Sequence, residues 1–201
     1  RSEGKCLWVH DMGWSIEMGI WYSPYVVWDF NGDGVPEVAC AGADGDRRDA
    51  TGMVDTGAEW VLLLDGRTGR EITRAPWPSR AGLGGYNYYS RTQCGIAYLD
   101  GKTPALILAR GTYTMMKGEA WQLRGTNLEK LWAWTSLDEG VNAVKYIGQG
   151  AHSMHCADID GDGRDEVLLG ACVLDDNGRG LWSTGRGHPD RDPEQPAHAR
   201  G

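Results

Sequence analysis

Residues 29–37, "DFNGDGVPE", and residues 158–166, "DIDGDGRDE", carry the same pattern position for position. Oxygen-bearing side chains fall at positions 1, 3, 5 and 9: Asp29, Asn31, Asp33 and Glu37, then Asp158, Asp160, Asp162 and Glu166. Carboxylates crowded this closely repel one another unless a cation sits among them. Such a loop wraps its oxygens around one hard cation, with the backbone carbonyl of Val35 or Arg164 at position 7 as a further ligand and the glycine at position 6 making the turn. Calcium suits this donor set better than magnesium, which takes fewer protein ligands and keeps its waters. The loops are not EF-hands. Position 12 holds Cys40 or Leu169 in place of a bidentate Glu, and each loop runs into an apolar strand-like stretch, "VACAG" or "VLLG", where an EF-hand begins a helix. The pattern predicts a β-hairpin stapled by calcium.

A degraded third copy, "GIAYLDGKTPALIL", places Ile96, Tyr98, Asp100 and Pro104 at the ligand positions. One carboxylate does not hold calcium, so this copy is expected to keep only a structural role. Asp33 and Asp100 are 67 residues apart, and Asp100 and Asp162 are 62 apart. Between these loops a second element recurs, a hairpin with a polar turn: "VLLLDGRTGREI", "WQLRGTNLEKLW" and "VLDDNGRGLW". Each unit therefore supplies two strands around the acidic loop and two around the polar turn. Four-stranded units at this period are the signature of propeller blades. The opening "CLWVHD" matches the hairpin endings "KLWAW" and "GLWST", so the chain is expected to start at the end of one blade and to hold roughly three more. Three blades do not close a ring. The fold class expected is all-β, a partial β-propeller over residues 1–190 whose remaining blades belong to the parent chain, with residues 191–201 as a disordered polar tail that includes His198.

Composition agrees. Thirty glycines and few helical stretches favour short strands and turns, and the 10 tryptophans suit packing between blades, with one or two as a sugar platform. A net charge of −8 without a basic stripe argues against nucleic acid as a partner. No apolar run approaches the ~20 residues that cross a bilayer, so no membrane partner is expected. Residues 1–20 lack a signal-peptide pattern, but an opening at Arg1 suggests a processed product or an excised segment. The five cysteines, Cys6, Cys40, Cys94, Cys156 and Cys172, are odd in number and widely spaced, and are expected to be free and buried.

Candidate chemistry sits in glycine-rich stretches at strand ends. His152 lies in "GQGAHSMH", and His188 lies in "GRGHPD" with Asp190 two residues away. Arg91 in "YYSRTQ", and Arg110 with Tyr113 in "LARGTYT", combine a guanidinium suited to a sugar carboxylate with rings suited to a pyranose face. Phosphate loops, dinucleotide fingerprints, CxxC pairs and nucleophile elbows are absent from the sequence.

These stretches together resemble the rhamnogalacturonan lyases built on an eight-bladed, calcium-loaded propeller. The likeness is carried by "VVWDFNGDGVPEVACAGADG", "VLLLDGRTGREI", "GIAYLDGKTPALILARGTY" and "GQGAHSMHCADIDGDGRDEVLLGACVLDDNGRGLWSTGRGHPD", and runs from about residue 7 to 190. The resemblance implies β-elimination across the bond between rhamnose and galacturonate in the pectic backbone, with calcium as cofactor and pectic rhamnogalacturonan as partner. It implies that His152, His188 and Asp190 belong to the active-centre calcium and substrate site, and that Arg91, Arg110 and Tyr113 lie on the cleft face. The chain departs from the family pattern at Trp21, where a histidine is common, and at Ala41, the place of a lysine. A non-catalytic propeller that binds glycans or proteins stays open as the alternative. Extracellular calcium near millimolar would keep such loops filled, so secretion is the expected setting.

Overall fold

The computed structural model describes residues 4–17, 22–45, 49–150 and 152–185. Alternating and continuous apolar runs form twelve strands among them. They are β1 (Tyr25–Trp28), β2 (Glu37–Ala43), β3 (Glu59–Leu64), β4 (Glu71–Pro76), β5 (Thr92–Ala97), β6 (Ala105–Arg110), β7 (Lys117–Arg124), β8 (Asn127–Thr135), β9 (Met154–Ala157), β10 (Glu166–Leu169), β11 (Cys172–Leu174) and β12 (Gly180–Ser183). Each successive group of four pairs antiparallel in chain order, giving three four-stranded sheets. The all-β expectation holds. Two single-turn helices, α1 (Tyr86–Tyr89) and α2 (Ala143–Tyr146), lie in the links between sheets. No helix among the described residues is long and apolar enough to cross a membrane.

The acidic loops join β1 to β2 and β9 to β10, the degraded copy joins β5 to β6, and the polar turns join the third strand to the fourth in every sheet. The hairpins read from the repeats are therefore the hairpins formed.

Strand β6, "ALILAR", is buried at all six positions because its sheet is covered on both faces. Its side chains alternate. Leu106 and Leu108 join Val61, Leu63, Ala75 and Trp77 of the first sheet, whereas Ala105, Ile107 and Ala109 join Val167, Leu169, Cys172 and Leu174 of the third. Each large apolar side chain buried here contributes about 1.5–3 kcal/mol. The first strands adjoin one another, β1 with β5 and β5 with β9, and β4 approaches β8.

A tryptophan contact with the polar turn recurs. Trp132 on β8 donates its indole N–H to the Asp176 carbonyl in the polar turn of the third sheet, at 2.9 Å. A Cβ on Gly178 in that turn would meet the ring at 2.5 Å. Trp8 repeats the contact on the first sheet, bonding the Gly66 carbonyl at 2.9 Å and lying against Gly69. These are the "LW" endings that the repeats aligned.

One expectation needs amendment. All five cysteines are free, but only Cys172 is fully buried: Cys40, Cys94 and Cys156 are half-buried and Cys6 is exposed. Burial pushes the thiols of Cys94, Cys156 and Cys172 up to about 12. Trp21, His188, Asp190 and the 191–201 tail lie outside the described residues.

Candidate functional site

The meander order puts the acidic loops and polar turns at one end of the sheets. The β2–β3 and β6–β7 connections and both links between sheets sit at the other. At ~3.3 Å per residue, a six-residue strand such as β6 separates the two ends by about 20 Å. The candidate residues divide accordingly.

At the loop end, the two acidic loops fold alike. Asp158 accepts from the amides of Gly161 and Gly163, at 2.7 and 3.0 Å, and Asp29 accepts from Gly32 and Gly34, at 2.7 and 2.9 Å. Position 5 bonds the position 7 amide in both, Asp162 to Arg164 and Asp33 to Val35, at 2.8 Å. Glu166 accepts from Ile159 and Glu37 from Phe30, through one carboxylate oxygen each. The other oxygen differs. Glu37 Oε1 accepts from the Asn31 amide at 2.9 Å, while Glu166 Oε1 is buried with no hydrogen-bond partner. Oxygens of Asp158, Asp160 and Glu166 lie within 4.8 Å of one another. Burial raises the Glu37 and Glu166 carboxyls above their ordinary value, and neighbouring aspartates add to the shift. The Arg164 side chain points away and pairs with Asp176 at 2.5 Å.

The degraded loop ties sheets together. Tyr98 donates its amide to Asp165 at 2.7 Å and accepts the Asp165 amide at 3.1 Å, while its hydroxyl accepts from the Trp28 indole at 3.1 Å.

At the other end, two glycine-bearing stretches meet. Gly111, in "ARGTY", has φ +89°, and a Cβ there would lie 2.3 Å from the Met115 carbonyl. A Cβ on Gly150, in "GQGAH", would sit 3.0 Å from Gly111 and Thr112. Close backbone approach therefore brings the β6–β7 turn against the link that precedes β9. Its product is the contact of Tyr113 Oη with His152 Nε2 at 2.9 Å, the rings 5.5 Å apart and edge-on. His152 holds a left-handed φ of +56°, which costs a non-glycine residue about 1–3 kcal/mol.

Arg91 joins them. Its guanidinium lies 5.7 Å from the Tyr22 ring and 5.8 Å from the Tyr113 ring, and it donates to Asn87 Oδ1 at 2.8 Å. Tyr88 stands edge-on to Tyr113. Beside them a cavity of about 280 Å³ is lined in part by Arg91, Gln93, His152 and His155.

Arg110 does not share this cavity. Only 2% exposed, it gives both terminal nitrogens to Glu59, at 2.6 and 2.5 Å, and Glu59 also takes Arg80 at 2.9 Å. It lies at the same end but lines a separate small cavity with Glu17, Tyr22, Glu59 and Thr92. Arg110 has the same strand parity as Leu106 and Leu108, and so turns toward the first sheet.

Residues that the motifs did not flag complete this end. Glu17 accepts from the Val54 amide at 2.8 Å and from the Tyr86 hydroxyl. Burial raises the Glu17 carboxyl and pushes the Tyr86 hydroxyl above its ordinary range. Ala41 packs on the core between the first two sheets.

Residues 1–194 match the family described as rhamnogalacturonan lyase family 11, C-terminal domain. The chain is 38% identical over 210 aligned residues to the rhamnogalacturonan exolyase YesX of Bacillus subtilis (strain 168), and 37% identical to the endolyase YesW of the same organism. Each alignment takes in 94% of this chain and 34% of the relative, so the chain spans about a third of the length of the curated relatives it matches. Among solved structures, the Bacillus licheniformis rhamnogalacturonan lyase PL11 superposes with a TM-score of 0.82 at 39% identity, over 88% of this chain and 33% of that one.

Proposed function

The chain belongs to rhamnogalacturonan lyase family 11, and from that membership we propose that it is a segment of a secreted lyase that cleaves the rhamnogalacturonan backbone of pectin by β-elimination. In this reading the three sheets are successive blades of a larger propeller. The adjacency of β1, β5 and β9, the Trp132 bond from the second sheet to the third and the matching Trp8 bond to the first support it.

Calcium fills the acidic loops. The buried Glu166 Oε1, set among the carboxylates of Asp158 and Asp160, fits a hard cation that takes several oxygen ligands. Asp162 and the Arg164 carbonyl extend the set, and Asp29, Asn31, Asp33, Glu37 and the Val35 carbonyl form its counterpart. These ions staple hairpins at the end away from the cleft. His188 and Asp190, which lie outside the described residues, would hold a separate active-centre calcium beside His152, and that ion would neutralise the uronate carboxylate and acidify the adjacent C–H.

The chain's own residues divide the remaining work. Arg91, flanked by the Tyr22 and Tyr113 rings, pairs with the carboxylate. Tyr113 takes the proton from the carbon beside the carboxylate, and its hydrogen bond to His152 gives its own proton somewhere to go. The electrons left behind form the double bond as the C–O bond breaks, and the departing glycosidic oxygen takes the proton that Tyr113 has collected.

The observation that carries this reading is the gathering of Arg91, Tyr113 and His152 at one end of the sheets. Its test is the ultraviolet absorbance of unsaturated uronate released from rhamnogalacturonan by the full-length protein, with calcium and then with chelator. A calcium-dependent rise that His152→Ala abolishes is the expected result. No rise from a folded, calcium-bound protein would leave a glycan-binding propeller instead.

A further inference from the structure

Asn87 lies on α1, exposed, and its side-chain oxygen accepts from Arg91 Nη2 at 2.8 Å. The other terminal nitrogen of Arg91 reaches the Tyr22 hydroxyl at 3.4 Å, and the guanidinium faces two tyrosine rings. We propose that Asn87 is a positioning residue that sets the plane of the Arg91 guanidinium for a carboxylate-bearing sugar, an inference that rests on the lyase reading above. Recognition of a carboxylate by a guanidinium is planar and bidentate, so the orientation of the fork decides whether both bonds form. A free arginine side chain samples many rotamers and must be ordered when the ligand arrives. Asn87 orders it beforehand. Asparagine serves better than aspartate here because it supplies the same acceptor oxygen without neutralising the cation that the uronate needs.

Two substitutions separate these effects, and neither touches a buried side chain. Asn87→Ala removes one of the contacts that hold Arg91 and is expected to raise KM for rhamnogalacturonan about three- to tenfold with kcat little changed, the cost of ordering part of one long side chain. Asn87→Asp keeps the oxygen but adds a negative charge. Its KM is expected to rise further at low ionic strength and to recover toward the Asn87→Ala value as salt screens the new charge.

Kinetics of the full-length protein, with melting temperature as the check on folding, decide the matter when Arg91→Ala is measured alongside. If Arg91→Ala raises KM while both Asn87 variants leave it unchanged, Asn87 is a bystander and the carboxylate role of Arg91 stands. An unchanged KM in Arg91→Ala removes that role and the proposal with it. A loss confined to kcat in the Asn87 variants also overturns the proposal, since a misplaced binding group acts on KM.

Discussion

Tyr113 Oη lies 2.9 Å from His152 Nε2, joining two residues 39 positions apart through the close approach of two glycine-bearing turns. Tyr113→Phe keeps the ring that faces Arg91 and Tyr88 and removes only the hydroxyl. If that hydroxyl carries the proton, kcat falls by about 10²-fold or more while KM changes little. Initial rates of unsaturated uronate formation measure it, and a kcat within a factor of two of the unsubstituted protein would take Tyr113 out of the proton path.

Calcium removal should destabilise the fold without dismantling the cleft. Free calcium a hundredfold above Kd contributes about 2.7 kcal/mol for each filled loop, which for a domain near this size corresponds to roughly 5–10 °C in Tm per loop. Calorimetric scans with calcium and with chelator are expected to show that difference. Glu166→Gln, which keeps an acceptor for the Ile159 amide but loses a charged ligand, should shrink it. A Tm indifferent to chelator would remove the metal from both acidic loops.

Glu59 stands between two arginines, one of them Arg110 at 2% exposure. Truncation in Glu59→Ala leaves that buried guanidinium without its partner and should cost about 3–5 kcal/mol. Urea denaturation measures this. Glu59→Gln, which preserves shape and one acceptor, should cost less. A loss below about 1 kcal/mol for Glu59→Ala would show that the pair does not support this end of the sheets.

Glu17 predicts a pH dependence. Burial raises its carboxyl in the folded chain above the ordinary value of 4.5. The folded state therefore holds the proton more tightly than the unfolded state. This contribution is fully present below 4.5 and is lost as pH rises through the folded-state value, so it weakens stability toward neutrality. Both hydrogen bonds to Glu17 end on Oε1, which glutamine retains. Glu17→Gln should flatten the stability profile on the alkaline side of 4.5 and leave the protein modestly more stable at pH 7. Denaturation midpoints measured from pH 4 to 7 check it, and a steeper profile in the variant would refute the assignment.

What could be read from the residues in order is what depends on residues near one another. The acidic hairpins were legible because positions 1 to 9 of each loop supply their own turn glycine, their own acceptors for the backbone amides and the strand that follows. The four-strand repeat was legible because loop and turn recur at a similar spacing, whereas the burial of "ALILAR" at all six positions came with the structure. The cleft is of another kind. Tyr113 meets His152, Arg91 meets Tyr22, Glu17 meets Tyr86 and Arg110 meets Glu59 across 39 to 69 residues. Alternation along β6 places Arg110 on the face of Leu106 and Leu108, but only the packing of the first sheet against that face makes it the partner of Glu59. Local chemistry selects turns and strands because its partners are already close along the chain. The site was settled by which sheets pack together, and that choice belongs to the tertiary structure, where distant side chains first come within bonding range.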